Sequence, residues 1–406
     1  MSSDVASGTR RVAYLDGLRG LAALQVVVGH CMLAFSPASH DGVLRILCDG
    51  DFAVFLFFLM SGFVLTSSFE RAPLSVGRAA LSRVIRLGLP LAAAVILCFV
   101  ACLIFPEPSA TAARLSGSAW LARFTPPDAL HAVADASGAG MLLGYHDTGL
   151  FQQLVTLPWP LYAAPDPPQW SLHLEFWGSL LLIGLVWCRH VSKFLYAAAL
   201  AATFVAIGGN ALILFVIGNL IAYGLQTRCV AEAVATQPAR SAAKGLLVTG
   251  LVFAYGDKLP LLWRLDHLHA SGLIVTSYPF FSLSREVGAT LAFTAIFGLR
   301  RIQALLGTRA IAWLGAMSFS IYLLHWGVML TVGSWLYARV LPSGGTSAII
   351  LATAAVVSVT LIAAIPFEHW VDRFAIRASH FGRKSRGLLL PRGSEATLET
   401  KPRLAS

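Results

Sequence analysis

The run LPLAAAVILCFVACLIF, Leu89 to Phe105, contains no charged side chain. Such a run needs either a large protein core or a bilayer to hide in. Comparable runs recur along the 406 residues, which are 57% hydrophobic and 12% charged, with a mean hydropathy of +0.72. A water-soluble globule cannot bury that much apolar surface. The apolar positions are continuous and do not alternate, so the spans are helices and not barrel strands. The expected fold is an all-α polytopic membrane protein of about ten transmembrane helices. The spans are expected near 14–35, 51–69, 87–105, 170–188, 194–207, 211–226, 245–256, 285–299, 311–336 and 346–366. The fifth to seventh are short for a full crossing, and 257–284 has room for an interfacial or re-entrant piece.

Charge sets the orientation. The net charge is +10, and its Lys and Arg residues cluster in alternate loops. Arg10 and Arg11 precede the first span, Arg71 and Arg78 follow the second, and Arg189 and Lys193 follow the fourth. Arg228 and Arg240 follow the sixth, Arg300 and Arg301 the eighth, and Arg373 and Arg377 the tenth. Positive residues collect on the cytoplasmic side, so both termini are expected there, and the basic balance says little about nucleic acid. This gives a cytoplasmic segment 1–13, a transmembrane domain 14–368 with an external loop at about 106–169, and a basic tail 369–406 expected to be disordered. Met1 to Arg11 is polar, so no cleavable signal peptide is expected. The six cysteines show neither CxxC nor Cys/His spacing, so neither a disulfide framework nor a metal site is expected.

Within the first span, YLDGLRGLAALQVVVGHCMLAF (Tyr14 to Phe35), the ionisable residues include Arg19 and His30. They lie about three turns and about 16 Å apart along the axis, on nearly one face. Ionisable groups at membrane depth normally face a polar interior. Ser61 and Gly62 interrupt the apolar wall of the second span. Arg83 and Arg86 are helical neighbours. They suit phosphate groups, but the sequence favours reading them as anchors at the membrane surface. WSLHLEFW (Trp170 to Trp177) places Glu175 in the fourth span, as a structural salt bridge or as a partner of His30 or of a sugar hydroxyl. Ser318, Tyr322 and His325 form one helical stripe, for which interhelical hydrogen bonding is sufficient cause. PFEHWVDRF (Pro366 to Phe374) reads as a local ion-pair cluster. Arg19, His30, Glu175 and His325 together suggest chemistry or proton movement more than scaffolding.

Five motifs in order resemble the acyltransferase-3 family of integral membrane acyltransferases. They are Arg19 and His30 separated by ten residues; Ser61, Gly62 and Phe63; Arg83, Arg86 and Pro90; Trp170, Ser171 and Glu175; and Ser318, Tyr322 and His325. Phe319 departs from the family, which often has Tyr there. The resemblance covers Tyr14 to Glu368. It implies transfer of an acyl group, usually acetyl from cytoplasmic acetyl-CoA, to a hydroxyl of a glycan or other exported acceptor. His30 is implied as the key catalytic residue and Arg19 as its partner. His30 would act as a base or carry the acyl group covalently. Arg19 would stabilise the carbonyl or hold CoA phosphates together with Arg83 and Arg86. Ser61, Trp170, Ser318, Tyr322 and His325 would form the wall. The expected partners are acyl-CoA as a donor substrate with no permanently bound cofactor, a glycan or lipid-linked saccharide, and the lipids of a bacterial inner membrane. A proton-coupled permease uses the same residue types, and a membrane scaffold or sensor without chemistry is the third class.

Overall fold

The computed structural model describes residues 13–37, 44–71, 75–124, 128–150, 155–208, 210–227, 236–256, 259–270 and 282–380. Ten principal helices run through them. They are α1 (Ala13–Phe35), α2 (Gly50–Arg71), α3 (Val76–Ile104), α4 (Trp170–Val191), α5 (Lys193–Ile207), α6 (Ile213–Gln226), α7 (Gln237–Tyr255), α8 (Leu283–Ile296), α9 (Arg309–Val328) and α10 (Gly345–Phe367). Each expected span overlaps one of these helices. Among the described residues, six helices are long and apolar enough to cross a membrane. Two bent pairs raise that to eight: α7 with the helix from Pro260, bent by 65°, and α8 with Arg300–Leu306, bent by 94°. Helices α5 and α6 are apolar but have only 15 and 14 residues. The bent piece after α7 falls where the sequence left room for an interfacial or re-entrant element; 271–281 lies outside the described residues, as do the tail beyond 380 and Cys229.

Small residues bring the helices together. A Cβ on Gly315 of α9 would stand 1.9 Å from the Asp16 carbonyl oxygen of α1, and one on Gly20 would stand 2.5 Å from the Gly315 nitrogen. Backbone therefore lies on backbone at this crossing, as small residues permit in membrane helices. Gly62 of α2 and Gly218 of α6 do the same: their Cβ atoms would sit 2.3 Å from the carbonyls of Phe215 and Leu59. One apolar core built on Phe55, Leu59, Leu91 and Phe215 fills the α2–α3–α4–α6 side. A second, with Val27, Ile321, Trp326 and Val356, fills the α1–α9–α10 side.

Helices α9 and α10 each continue through a π-helical turn, Met329–Gly333 and Glu368–Asp372. Such turns recur at functional positions. The second carries Asp372 inward, and α10 resumes as Arg373–Ser379, so helix persists into the region expected to begin the tail.

The segment between α3 and α4 is folded, with short helices Pro108–Ser116, Ala129–Ala136 and Ala139–Leu143. Its own small core is Tyr145, Leu157 and Ala164. Ser118 Oγ donates to the Leu33 carbonyl of α1 at 2.7 Å. His173 of α4 bonds through Nδ1 to the Met141 carbonyl at 2.9 Å and accepts the Leu150 N–H at Nε2 at 3.0 Å. His173 thus ties this segment to the bundle.

Candidate active site

The α1–α9 crossing aligns His30 with His325. His30 Nδ1 lies 2.8 Å from His325 Nε2, with the two ring planes 6° apart. His325 Nδ1 lies 2.6 Å from the Tyr322 carbonyl oxygen. A carbonyl only accepts, so His325 carries its proton on Nδ1 and offers Nε2 as an acceptor. His30 must then donate from Nδ1, which leaves its Nε2 unprotonated. Two hydrogen bonds of fixed polarity therefore select the tautomer of His30 without a carboxylate. Trp120 from the α3–α4 segment stacks on the His30 ring at 5.6 Å, and Trp326 meets it edge-on at 5.6 Å.

Three cavities follow one another through the bundle. The first, about 700 Å³, lies at the Asp16 end and is bordered by Arg19, Ser67, Glu70, Arg86, Ser318, Glu368 and Asp372. The second, about 140 Å³, is narrow and central, and is bordered by Arg19, Ser61, Arg83, Arg86, Ser171, Glu175, Ser318 and Tyr322, with Phe57, Phe58 and Phe319 among its apolar wall. The third, about 560 Å³, is the chamber that His30 borders, together with Asp49, Asp51, Trp120, Trp170, Arg285 and Trp326. Arg19, Arg86 and Ser318 belong to the first two, and Val54 and Tyr322 to the last two.

Ion pairs hold the central wall. Arg83 donates to Glu175 at 2.7 Å, with only 13% and 15% of their side chains exposed. Arg86 forms a two-pronged pair with Asp372 and lies 5.0 Å over the Phe319 ring. A phenyl face suits a guanidinium, so Phe319 serves Arg86 without the hydroxyl that the family often has there. The Tyr322 hydroxyl donates to the Pro168 carbonyl at 2.7 Å and lies 2.8 Å from Ser171 Oγ. Ser318 Oγ donates within its own helix, to Gly315.

A family model for an acyltransferase domain matches residues 12–368. The chain belongs to the acyltransferase-3 family. No curated protein and no solved structure matches it. The family makes it an acyltransferase, and its apolar helices make it a multi-pass membrane protein.

In this acyltransferase the sequence motifs converge on one tract. Arg19, Ser61, Arg83, Arg86, Glu175, Ser318 and Tyr322 share the central cavity, while His30, Trp170 and Tyr322 share the chamber. The order along the bundle bears on the readings of Glu175. It lies on the Arg19 side of His30, sharing the central cavity with Arg19 while His30 borders the chamber. The cause is the helical start of α4 at Trp170, which spends its first turn at the chamber and carries Glu175 past it. Glu175 accordingly meets Arg83 and not His30. PFEHWVDRF divides: Arg373 and Glu368 form the expected local pair at 2.9 Å, whereas Asp372 reaches across to Arg86.

Trp120, Trp326, Asp49, Asp51 and Arg285 also border the chamber, although no sequence motif points to them. Arg285 lies 3.2 Å from Asp51 and 3.8 Å from Asp49 at the chamber wall. Trp326 stands next to His325 and was within reach of a motif argument. Trp120 comes from a loop with no local signal.

Proposed function

We propose that this membrane acyltransferase moves an acyl group, acetyl by preference, from cytoplasmic acyl-CoA to a hydroxyl of a glycan or other exported acceptor. Ten spans with both termini cytoplasmic place the Asp16 end at the cytoplasm, in accord with the basic loops. Acyl-CoA then enters the 700 Å³ vestibule, and the acceptor enters the chamber at His30. The observation that carries the reading is the chain His30–His325–Tyr322 carbonyl, which keeps His30 Nε2 free of a proton at the mouth of that chamber.

The step itself is an addition and elimination. Nε2 takes the proton of the acceptor hydroxyl as its oxygen attacks the thioester carbonyl. The negative charge that develops on the carbonyl oxygen needs a cation or donors. Arg19, at the boundary of vestibule and central cavity, faces the thioester end. The carbon–sulfur bond breaks, and the His30 imidazolium returns its proton to the CoA thiolate. Arg86 meets the pantetheine or phosphate end, and the Arg83–Glu175 pair keeps the narrow cavity polar. Four aromatic residues of the chamber, Trp120, Phe124, Trp170 and Trp326, beside Asp49, Asp51 and Arg285, suit the apolar faces and hydroxyls of a saccharide.

Purified protein in proteoliposomes, given radiolabelled acetyl-CoA and envelope glycans from a strain lacking the gene, should transfer label to glycan. Proton or solute movement without transfer would favour the permease. In the same assay Arg86→Gln should raise KM for acetyl-CoA several-fold with a smaller change in kcat.

A further inference from the structure

A second polar group lies outside this tract, in the folded segment between α3 and α4. Asp135, Tyr145, Asp166 and Gln169 are each 0% exposed. Both carboxylate oxygens of Asp166 and Gln169 Oε1 lack a hydrogen-bond partner, while the Tyr145 hydroxyl faces Asp135 as its partner. These atoms form one cluster. Gln169 Nε2 donates to Asp135 Oδ2 at 2.8 Å. The Tyr145 hydroxyl and Asp135 Oδ1 both lie 2.8 Å from the point where a Cβ on Gly140 would stand. Asp135 is near enough to Asp166 for its charge to oppose ionisation there, and both acids act on Tyr145.

Bare carboxylates in a dry interior are strongly disfavoured, and two side by side more so. Tyr145 has one proton to offer, and it faces Asp135. Wholly buried and short of donors, the two acids require either protons or a positive partner.

We propose that Asp135, Asp166, Gln169 and Tyr145 form a binding site for a hard divalent cation, Ca²⁺ in preference to Mg²⁺. The donors are all oxygens, and two carboxylates neutralise one dication. Ca²⁺ accepts several direct protein oxygens in flexible geometry, whereas Mg²⁺ parts reluctantly with its waters. Gln169 Oε1 is the independent indication: it is wholly buried and unpartnered, and it adds a neutral oxygen donor beside the two acids. The absence of a metal expected from sequence rested on Cys and His spacing, which does not register a site built from amide, phenol and two distant acids.

The location gives the cation a role. Asp166 and Gln169 bracket Pro167 and Pro168, which border the His30 chamber, and the Pro168 carbonyl receives the Tyr322 hydroxyl. A cation held by the bracketing residues fixes the rim of the chamber against α9.

The test uses full-length protein in detergent, stripped with a chelator, and reads binding and unfolding without any transfer assay. Filter-bound protein should retain about one radiolabelled Ca²⁺ per chain, and Ca²⁺ should raise Tm more than Mg²⁺ at equal concentration. Asp166→Asn and Tyr145→Phe should each weaken Ca²⁺ retention at least tenfold. Wild-type protein that retains no Ca²⁺, with a Tm indifferent to the ion, would overturn the proposal.

Discussion

His325 does its work at the scale of one proton. Its Nδ1–H is committed to the Tyr322 carbonyl, so its Nε2 can only accept from His30. His325→Phe removes that acceptor, strands the His30 Nδ1–H and frees the ring to take either tautomer. A wrongly set tautomer in a serine protease triad costs about 10⁴-fold in kcat, and a loss of at least about 10²-fold is expected here. His325→Gln can present its carbonyl oxygen to the same N–H and should recover part of the rate. A purely structural histidine would change yield and Tm but leave the pH–rate profile in place, so the profile of the Gln variant is the readout that separates the two roles. The Arg83–Glu175 pair is the other residue-scale unit. Glu175→Gln strands a buried guanidinium and should cost about 3–5 kcal/mol, as loss of one partner of a buried pair does. Pairing it with Arg83→Gln should restore much of the unfolding midpoint but not transfer. Full transfer by the double variant would reduce the pair to a structural bridge.

At the scale of helices, the tract depends on how closely α1 approaches α9. Gly315→Val places side-chain atoms where the Asp16 carbonyl already stands. The helices must then separate, and His30 and His325 with them. Folded yield should collapse in a detergent size-exclusion assay, while Gly184→Ala, where nothing lies within 4 Å, should be silent. These elements differ in how much of them the sequence reveals. The helices were legible because apolar runs leave a bilayer-length imprint, and Gly62 signalled its close contact through its setting in an apolar wall. The meeting of His30 with His325 was not legible, because a helical stripe shows which residues share a face but not which helix faces it. Asp372 was misread as purely local because a π turn, not helical periodicity, swings it toward Arg86. For Glu175 the salt-bridge alternative matches the pair with Arg83 and the His30 alternative does not, because α4 begins at Trp170 and carries Glu175 past the chamber. Asp135 and Asp166 escaped attention altogether, since only the fold of the α3–α4 segment unites them.

Across the whole molecule, the proposed reaction divides its two substrates between the two ends of a run of three cavities. That division requires the vestibule at Arg19 to open to the cytoplasm. Single cysteines placed at Ser2, Pro108 and Arg189 test it: impermeant reagent added outside intact cells should label only the Pro108 position. Labelling at Arg189 would invert the bundle and put the acyl-CoA vestibule on the wrong side. The central claim is that the acyl group reaches the acceptor through chemistry at His30. Single-turnover transfer from radiolabelled acetyl-CoA, measured with purified wild type and His30→Ala in proteoliposomes, addresses it most directly. The account predicts that His30→Ala folds with an unchanged elution profile, still binds acetyl-CoA, and transfers label at least about 10²-fold more slowly. A folded His30→Ala protein that transfers at the wild-type rate would contradict it.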